Sequence, residues 1–373
     1  MKNIKKRMKA LLILLFCTVL TGCLPTDIVD DIYTVQTIGF DYAGNHEILG
    51  TVVAPIYAQS QGGGSQQGGA QQGPSTTDTF STVSHTDKEV VEKLQTESEQ
   101  KIKLGKLTVA LINDALAKKG IEKYLDYFNR NPDIGRDVYV AIVDGSTRRL
   151  LNGQYASNPD VSRYLFDLIQ QNIEENFPNT NLHEYFYEYY GKGINAFLPV
   201  LKKHKDHIEM EGIGLIKNNR YIGLLPFKYV FIFKMLREPF NQGTYALNLS
   251  PHKFVTVKNI GSKVKYKVKD GNSRQPKIWI NVKLNGVITE ASVQGNPQKY
   301  INTVSSTLEK DLKNKGTKVI KLLQRKNTDP LGLGDQVRSY TYNWNEKQWY
   351  KHYPHAKIKL NVDVNITQTG IVD

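Results

Sequence analysis

Cysteine is almost absent from this sequence of 373 residues, which contains only two. Cys17 lies within an apolar run, residues 10–20, that follows five basic residues. The run has about half of the roughly 20 apolar residues that a helix needs to cross a bilayer, so it predicts a cleaved secretory signal rather than a membrane span. The exported chain then keeps a single thiol, which excludes a disulfide framework and a thiolate metal cluster.

The remaining thiol, Cys23, follows a recognisable sequence. Residues 20–23 read Leu-Thr-Gly-Cys, the pattern of a bacterial lipoprotein cleavage site, where the cysteine is diacylated and the chain is cut after Gly22. We therefore expect a signal peptide over residues 1–22 and a lipid on Cys23, which makes this thiol unavailable for catalysis. More than one acyl chain on the cysteine gives a stable membrane tether. The alternative interpretation is a short buried helix, or an ordinary signal with a chance cysteine.

Acidic residues are outnumbered, since the chain has 49 Lys and Arg but 36 Asp and Glu and a formal charge of +13. Loss of the five basic residues of the signal leaves +8 on the exported chain. Nucleic acid attracts basic proteins, but an exported and lipid-anchored protein rarely meets it. The charge therefore favours an anionic bilayer surface or an acidic partner, and we expect no nucleic-acid partner.

Catalytic motifs are missing as well. The chain has no Gly-x-Ser-x-Gly, no Walker sequence and no complete dinucleotide fingerprint. Residues 84–87 read Ser-His-Thr-Asp, but adjacent residues cannot line up as a catalytic triad, so we expect a helix cap there. Ser250 and Lys253 form a Ser-x-x-Lys without the Ser-Asp-Asn and Lys-Thr-Gly of penicillin-interacting enzymes. We expect no enzymatic activity.

Two histidine pairs have a spacing that could hold a metal ion, His204 with His207 and His352 with His355. The first pair lies in a charged segment, the second contains a proline, and neither has the glutamate of a zinc-protease helix. We therefore expect histidines that are solvated or hydrogen-bonded within the protein, no metal and no cofactor. The aromatic residues of 185–190 allow a ligand platform or a helix packed on a core, and the packed helix is favoured because aromatics dominate such interfaces.

The chain divides into two parts with different hydrophobic patterns. In residues 23–200 apolar runs alternate with helical spacing, which predicts a mixed α/β domain, and the Gly/Gln-rich stretch 59–77 predicts a flexible loop. The polar stretch 201–207 predicts a domain boundary. Residues 208–373 predict a sheet covered by one long helix over 300–323, with two subdomains divided near residue 270 as an option. The predicted class is therefore α+β with a mixed α/β first part, in a multi-domain protein.

Three motifs follow one another along the chain. They are the lipoprotein pattern at Cys23, then Ile38-Gly39-Phe40-Asp41, then Asp329-Pro330-Leu331-Gly332-Leu333-Gly334 after the long helix. A Trp-rich turn, an alternating strand and Thr369-Gly370-Ile371 close the chain. In this order the motifs resemble the Ger(x)C family, the lipoprotein C subunits of bacterial spore germinant receptors. The sequence departs from that family at residues 24–28, which read Leu-Pro-Thr-Asp-Ile where the family has Trp-Asp-x-Arg-Glu.

The resemblance implies a three-domain, mixed α/β lipoprotein on the outer face of the spore inner membrane. Such a protein acts with an A subunit and a multi-spanning B subunit in nutrient sensing, without enzymatic activity. The motif residues would serve structure or partner contact, and for residues 329–334 a structural turn is favoured because Pro330 fixes one dihedral and the glycines permit positive φ. The rival hypotheses are a lipoprotein that captures a small nutrient directly between two α/β lobes, and a cell-wall enzyme.

Overall fold

The computed structural model describes residues 32–55, 77–155, 160–251, 253–291 and 297–369. The predicted signal peptide, Cys23 and the Gly/Gln-rich stretch except its last residue lie outside these ranges. The strands are β1 Ile32–Thr34, β2 Thr37–Gly44, β3 Glu47–Pro55, β4 Thr77–Ser84, β5 Lys101–Lys103, β6 Val109–Asn113, β7 Tyr139–Asp144, β8 Phe197–Lys203, β9 Ile208–Lys217, β10 Arg220–Pro226, β11 Thr244–Ser250, β12 Lys253–Lys269, β13 Lys277–Ala291 and β14 Lys357–Thr369. The α-helices are α1 Asp87–Glu97, α2 Asp114–Ala117, α3 Asp126–Arg130, α4 Thr147–Leu151, α5 Val161–Glu174, α6 Leu182–Tyr190, α7 Val230–Arg237, α8 Pro297–Lys326, α9 Leu333–Ser339 and α10 Glu346–His352.

The first part of the chain is built on an eight-stranded sheet in the order β10-β9-β8-β7-β6-β2-β3-β4. Its central strands β2, β6, β7 and β8 are parallel, and antiparallel hairpins extend both edges. The parallel strands β6 and β7 are apolar and buried on both faces, as strands between two helical layers must be. The predicted mixed α+β class is thereby confirmed.

The stretch 201–207, where the sequence predicts a domain boundary, lies inside this sheet. Strand β8 pairs antiparallel with β9, placing Leu201 opposite Met210, and β9 pairs in turn with β10. The polar residues of the stretch are the end of β8 and the turn into β9, where solvent reaches their charged side chains. The eight-stranded sheet therefore continues across the change in hydrophobic pattern.

Several helices begin at a side-chain cap of a residue type that is typical of helix starts. The predicted cap before α1 is confirmed, because Thr86 Oγ1 accepts a hydrogen bond of 3.1 Å from the amide of Glu89. Asn113 caps α2 in the same way, and Asn181 caps α6. Such bonds satisfy amide groups that have no partner inside the first turn of a helix.

The second part of the chain is a four-stranded sheet, β11-β12-β13-β14, with α8 packed on one face. Along β13 and β14 apolar and polar residues alternate, and the apolar ones are buried beneath the helices. Helix α8 approaches β14 closely at Gly316, where an added Cβ would lie 2.4 Å from Leu360 Cδ2. The predicted sheet covered by one long helix is present, and the helix is longer than predicted at both ends.

One hydrophobic core joins the two parts. It extends from one face of the eight-stranded sheet through α7 to α8 and the apolar face of the second sheet, whereas a separate core lies on the opposite face of the first sheet. Helix α7 was not predicted, and neither were α9 and α10. Seven of the eight residues of α7 are buried, and in so short and largely apolar a segment the sequence does not distinguish a buried helix from a buried strand.

Candidate functional site

Asp41, in the Ile-Gly-Phe-Asp motif, caps the start of helix α4. Its carboxylate accepts hydrogen bonds from the amide of Thr147 at 2.7 Å, from the amide of Arg148 at 2.9 Å and from the hydroxyl of Ser146 at 2.9 Å. The side chain is buried, so these donors replace the water that a carboxylate otherwise needs. Asp41 therefore fastens the loop after β7 to the end of β2.

The other residues of the motif are used in packing. Ile38 and Phe40 are fully buried in the second of the two cores. Gly39 faces α4, and an added Cβ would lie 2.7 Å from Thr147 Oγ1 and 3.0 Å from Leu151 Cδ1. The absence of a side chain at this position lets the helix lie directly on the strand, and Asp41 then holds the helix start in place.

Asp329 performs the same task in the second motif, at the start of α9. Its carboxylate accepts hydrogen bonds from the amide of Gly334 at 2.7 Å and from the amide of Leu333 at 3.1 Å. Gly332 between them has φ of +69°, a left-handed conformation that glycine adopts without strain. The apolar Leu331 and Leu333 are buried in the core that joins the two parts. Asp329-Pro330-Leu331-Gly332-Leu333-Gly334 is thus a capped turn.

The Asp329 carboxylate is fully buried, and this burial raises its pKa to about 7. The amide donors of Gly334 and Leu333 oppose the shift because they stabilise the charged form. The Arg237 guanidinium also opposes it, as a weaker influence. Desolvation outweighs these stabilising contacts, so the neutral form of Asp329 is favoured over a wider pH range than for an exposed aspartate.

The second motif is bonded to the loop between α6 and β8. The amide of Asp329 donates to Asn195 Oδ1 at 2.7 Å, and the amide of Asn195 donates back to the carbonyl of Asp329 at 3.0 Å. The hydroxyl of Tyr350 lies 3.2 Å from the same Asn195 Oδ1. Asn195 therefore holds together a loop of the first part, the motif turn and helix α10 of the second part.

Two glycines allow this loop and α9 to touch backbone to backbone. The amide of Asp335 donates to the carbonyl of Gly193 at 2.9 Å, and the amide of Gly193 donates to Glu346 Oε1 at 3.0 Å. An added Cβ on Gly334 would lie 2.3 Å from Trp349 Nε1 and 2.7 Å from the carbonyl oxygen of Gly193. Gly193 itself has φ of +73°. No larger residue fits at Gly334 unless the backbone shifts.

A buried ion pair completes the contact. Arg237, at the end of α7, pairs with Glu188 on α6 and donates to the carbonyl oxygen of Pro330. Burial raises the pKa of Glu188, and the adjacent guanidinium opposes that shift. The Arg237 side chain also lies over the ring of Phe197, 4.8 Å from its centroid. We call this set of contacts the junction; its residues are Glu188, Gly193, Asn195, Arg237, Asp329, Pro330, Leu331, Gly332, Leu333, Gly334, Trp349 and Tyr350.

The other sequence candidates are placed apart from the junction. His204 Nε2 lies 2.9 Å from Glu209 Oε2, and His207 Nδ1 lies 2.8 Å from Asp206 Oδ1. These three side chains, His204, His207 and Glu209, form the one group within the described residues whose spacing could hold a metal ion, and sequence reasoning had left out Glu209. The two imidazole rings are stacked nearly parallel, so their nitrogen lone pairs do not converge on one point. His207 has a hydrogen-bond partner in Asp206, whereas the contact of His204 Nε2 with Glu209 lacks hydrogen-bond geometry.

The aromatic residues of α6 have two different environments. Tyr185 is fully buried and its hydroxyl donates to Asn219 Oδ1 at 3.1 Å, while Phe186 packs beside it in the second core. Tyr187 and Tyr190 are 63% and 61% exposed. The favoured interpretation, a helix packed on a core, therefore holds for Tyr185 and Phe186. The exposed Tyr187 and Tyr190 lie within two positions of the junction residue Glu188 in the chain.

Within the described residues, no helix combines the length and the apolar character that crossing a membrane requires. Comparison with protein-family models gives two matches that divide the chain between them. Residues 26–203 match the spore germination protein N-terminal domain, and residues 211–370 match the spore germination B3/GerAC like C-terminal domain. The spore germination protein GerQC of Bacillus cereus is 30% identical over 368 residues, which cover 97% of this chain and 99% of that protein.

The chain belongs to the Ger(x)C family, the C-subunit family of spore germinant receptors. The crystal structure of the GerBC protein shares the fold, with a TM-score of 0.58 at 17% identity, and the match covers 88% of this chain and 96% of that one. The junction is formed from both matched regions of this Ger(x)C protein. Glu188 and Asn195 come from the first, and Arg237, Asp329 and Tyr350 come from the second.

Sequence reasoning found the two motifs and missed their partners. Asn195, Arg237 and Glu188 lie in segments without a motif, and their roles depend on contacts with residues far away in the chain. One signal was available in the sequence: residues 229–236 are apolar except for Lys234, and a charged residue at the end of such a run, as Arg237 is, needs a partner if the run is buried. Gly22 and Cys23 lie outside the described residues.

Proposed function

We propose that this Ger(x)C protein is the lipid-anchored, non-enzymatic C subunit of a nutrient germinant receptor. A diacylated Cys23 holds it at the outer face of the spore inner membrane, after cleavage between Gly22 and Cys23. There it assembles with the membrane-embedded A and B subunits and is needed for the response to the nutrient. Its contribution is a folded surface that contacts those subunits, and it requires no cofactor.

The observation that supports the proposal is that the residues of both motifs stabilise the fold. Asp41 and Asp329, the acids of the two motifs, accept backbone amide hydrogens at helix starts, and Gly39 and Gly334 give room for close packing. These residues build a rigid body rather than a reactive site. Surface tyrosines such as Tyr187 are well suited to protein contacts, because tyrosine is enriched at interfaces.

The anchor would keep the folded body close to the bilayer. Eight residues, 24–31, separate Cys23 from the start of β1. Fully extended, such a segment spans at most roughly 30 Å. Confinement of the chain to a thin layer raises its effective concentration toward membrane-embedded partners, so that weak contacts are sufficient for assembly.

Replacement of Cys23 by Ala in the native gene tests the proposal, with Cys17→Ala as the matched control because Cys17 lies in the segment that is removed. We expect Cys23→Ala spores to germinate far more slowly with nutrient and the protein to leave the membrane fraction. Cys17→Ala spores should behave as wild type. Normal germination of Cys23→Ala spores, with the protein still in the membrane fraction, would contradict the proposal.

A further inference from the structure

The solvent-facing side of the second sheet is covered with lysine. Because side chains alternate along a strand, every second residue of β12, β13 and β14 points away from α8. The register aligns these residues in rows across the three strands, the first being Lys269, Lys277 and Lys357 and the second Lys267, Trp279 and Lys359. We call this surface the lysine face; its cations are Lys263, Lys265, Lys267, Lys269, Lys277, Lys283, Lys357 and Lys359.

Acidic groups neutralise little of this charge. Asp270 pairs with Lys277 at 2.8 Å, and Asp363 approaches Lys283 at 3.8 Å with both side chains largely exposed. The other six lysines of the lysine face form no ion pair with another residue in the described part of the chain. Like charges directly opposite each other on neighbouring strands are destabilising, so the fold retains a repulsion that an external anion would relieve.

The lysine face does not contribute to the core. Its reverse side is packed against α7 and α8, where Ile280, Val282 and Leu360 are buried. On the polar side Asn361 Nδ2 donates to Asn281 Oδ1 at 2.8 Å between the lysine rows. Trp279 is half-buried between Lys267 and Lys359, an indole with cations on both sides.

We propose that the lysine face binds the anionic surface of a phospholipid bilayer. Lysines near such a surface attract it by their charge alone, and a Trp ring sits readily at the level of the headgroups. Protein interfaces, by contrast, are depleted in lysine and enriched in arginine, and all eight cations of the lysine face are lysines. The face would orient the body on the membrane, beyond any tethering by a lipid.

The test uses the chain from residue 24, which lacks the acylation site and keeps every residue that the structure describes. Binding is measured with two kinds of vesicle. One contains phosphatidylcholine and about 30% of the anionic lipid phosphatidylglycerol, and the other contains phosphatidylcholine alone. The test variant carries Lys265→Gln, Lys267→Gln and Lys359→Gln. The control carries Lys310→Gln, Lys313→Gln and Lys321→Gln on the exposed side of α8, which removes the same charge.

We expect binding to the anionic vesicles only, and a decrease as salt is added. One lysine near an anionic surface contributes about fivefold in partitioning, so the triple variant should bind about a hundredfold more weakly. The α8 control should stay near wild type, and thermal unfolding should show that both variants are folded. Equal loss in both variants, equal binding to both vesicles, or no binding by wild type would overturn the proposal; in the last case an acidic protein is the better occupant.

Discussion

Asp329→Asn tests whether the buried carboxylate of the junction exchanges a proton, since asparagine has the same shape and does not titrate. Burial raises the pKa of Asp329 to about 7 in the folded chain, well above that of an unfolded aspartate near 3.9. Between these values the folded chain holds a proton that the unfolded chain has lost. The contribution of Asp329 to stability is therefore complete below about pH 4 and is lost as the pH rises through 7.

The size of the effect follows from two separate costs. In asparagine an amide NH2 group takes the place of one carboxylate oxygen and faces the backbone N–H of Leu333 or Gly334. A buried donor left without an acceptor costs about 1–3 kcal/mol at any pH. The pH-dependent contribution changes by about 1.4 kcal/mol per pH unit between the two pKa values. The difference in the free energy of unfolding between the wild type and the variant should thus be about 2 kcal/mol larger at pH 5 than at pH 7.

Urea unfolding of both chains at several pH values between 5 and 8 measures this difference directly. Other buried acids, such as Glu188 and Asp87, whose pKa values are also raised by burial, are present in both chains and cancel in the comparison. A stability gap that stays the same at every pH would show that Asp329 is ionised throughout this range, and the reasoning about its burial would be refuted.

Three further changes test the packing of the motifs and the junction. Gly39→Ala overpacks the contact with α4 and should destabilise the fold by about 1–3 kcal/mol in thermal unfolding. Gly105→Ala is the control and should be nearly neutral, because its Cβ would lie no closer than 3.5 Å to its nearest neighbour. Asp41→Ala leaves the Thr147 and Arg148 amides at the start of α4 without their acceptor, although Ser146 still accepts from Arg149, and it should cost about 1–2 kcal/mol in urea unfolding. An unchanged midpoint would exclude this role of Asp41. Arg237→Met leaves Glu188 buried without its partner and should cost about 3–5 kcal/mol, and the double variant with Glu188→Leu should recover much of that loss if the pair is the reason.

Much of the secondary structure could be predicted from local sequence patterns. The Thr86 cap, the continuous apolar run of β7 and the strict alternation of β14 each express one physical rule over a few neighbouring residues. Elements without such a rule were missed. Helix α7 is short and largely apolar, which fits a buried strand as well as a helix, and α10 lies within a stretch that the sequence suggested was a turn around two tryptophans.

The motifs could be located from the sequence, but their function in the fold could not. Asp329 is a cap because Gly332 reverses the chain, and it is buried because Asn195, more than a hundred positions earlier, bonds to its backbone. The strands β8 and β9 form a hairpin across the polar stretch 201–207, and composition alone does not distinguish the exposed turn of a hairpin from a domain boundary, because charged residues occur in both. The sheet is continuous across the predicted boundary, although the two matched family regions, residues 26–203 and 211–370, also meet there.

The central claim is that this Ger(x)C protein works by contact with membrane-embedded subunits. Affinity purification of the tagged full chain from detergent-solubilised spore membranes measures that contact, with Cys23→Ala and Cys17→Ala chains beside it. We predict that a multi-spanning B subunit and an A subunit co-purify with the wild-type and Cys17→Ala chains and are depleted with Cys23→Ala. Recovery of the wild-type chain alone, from membranes that contain both subunits, would contradict the account.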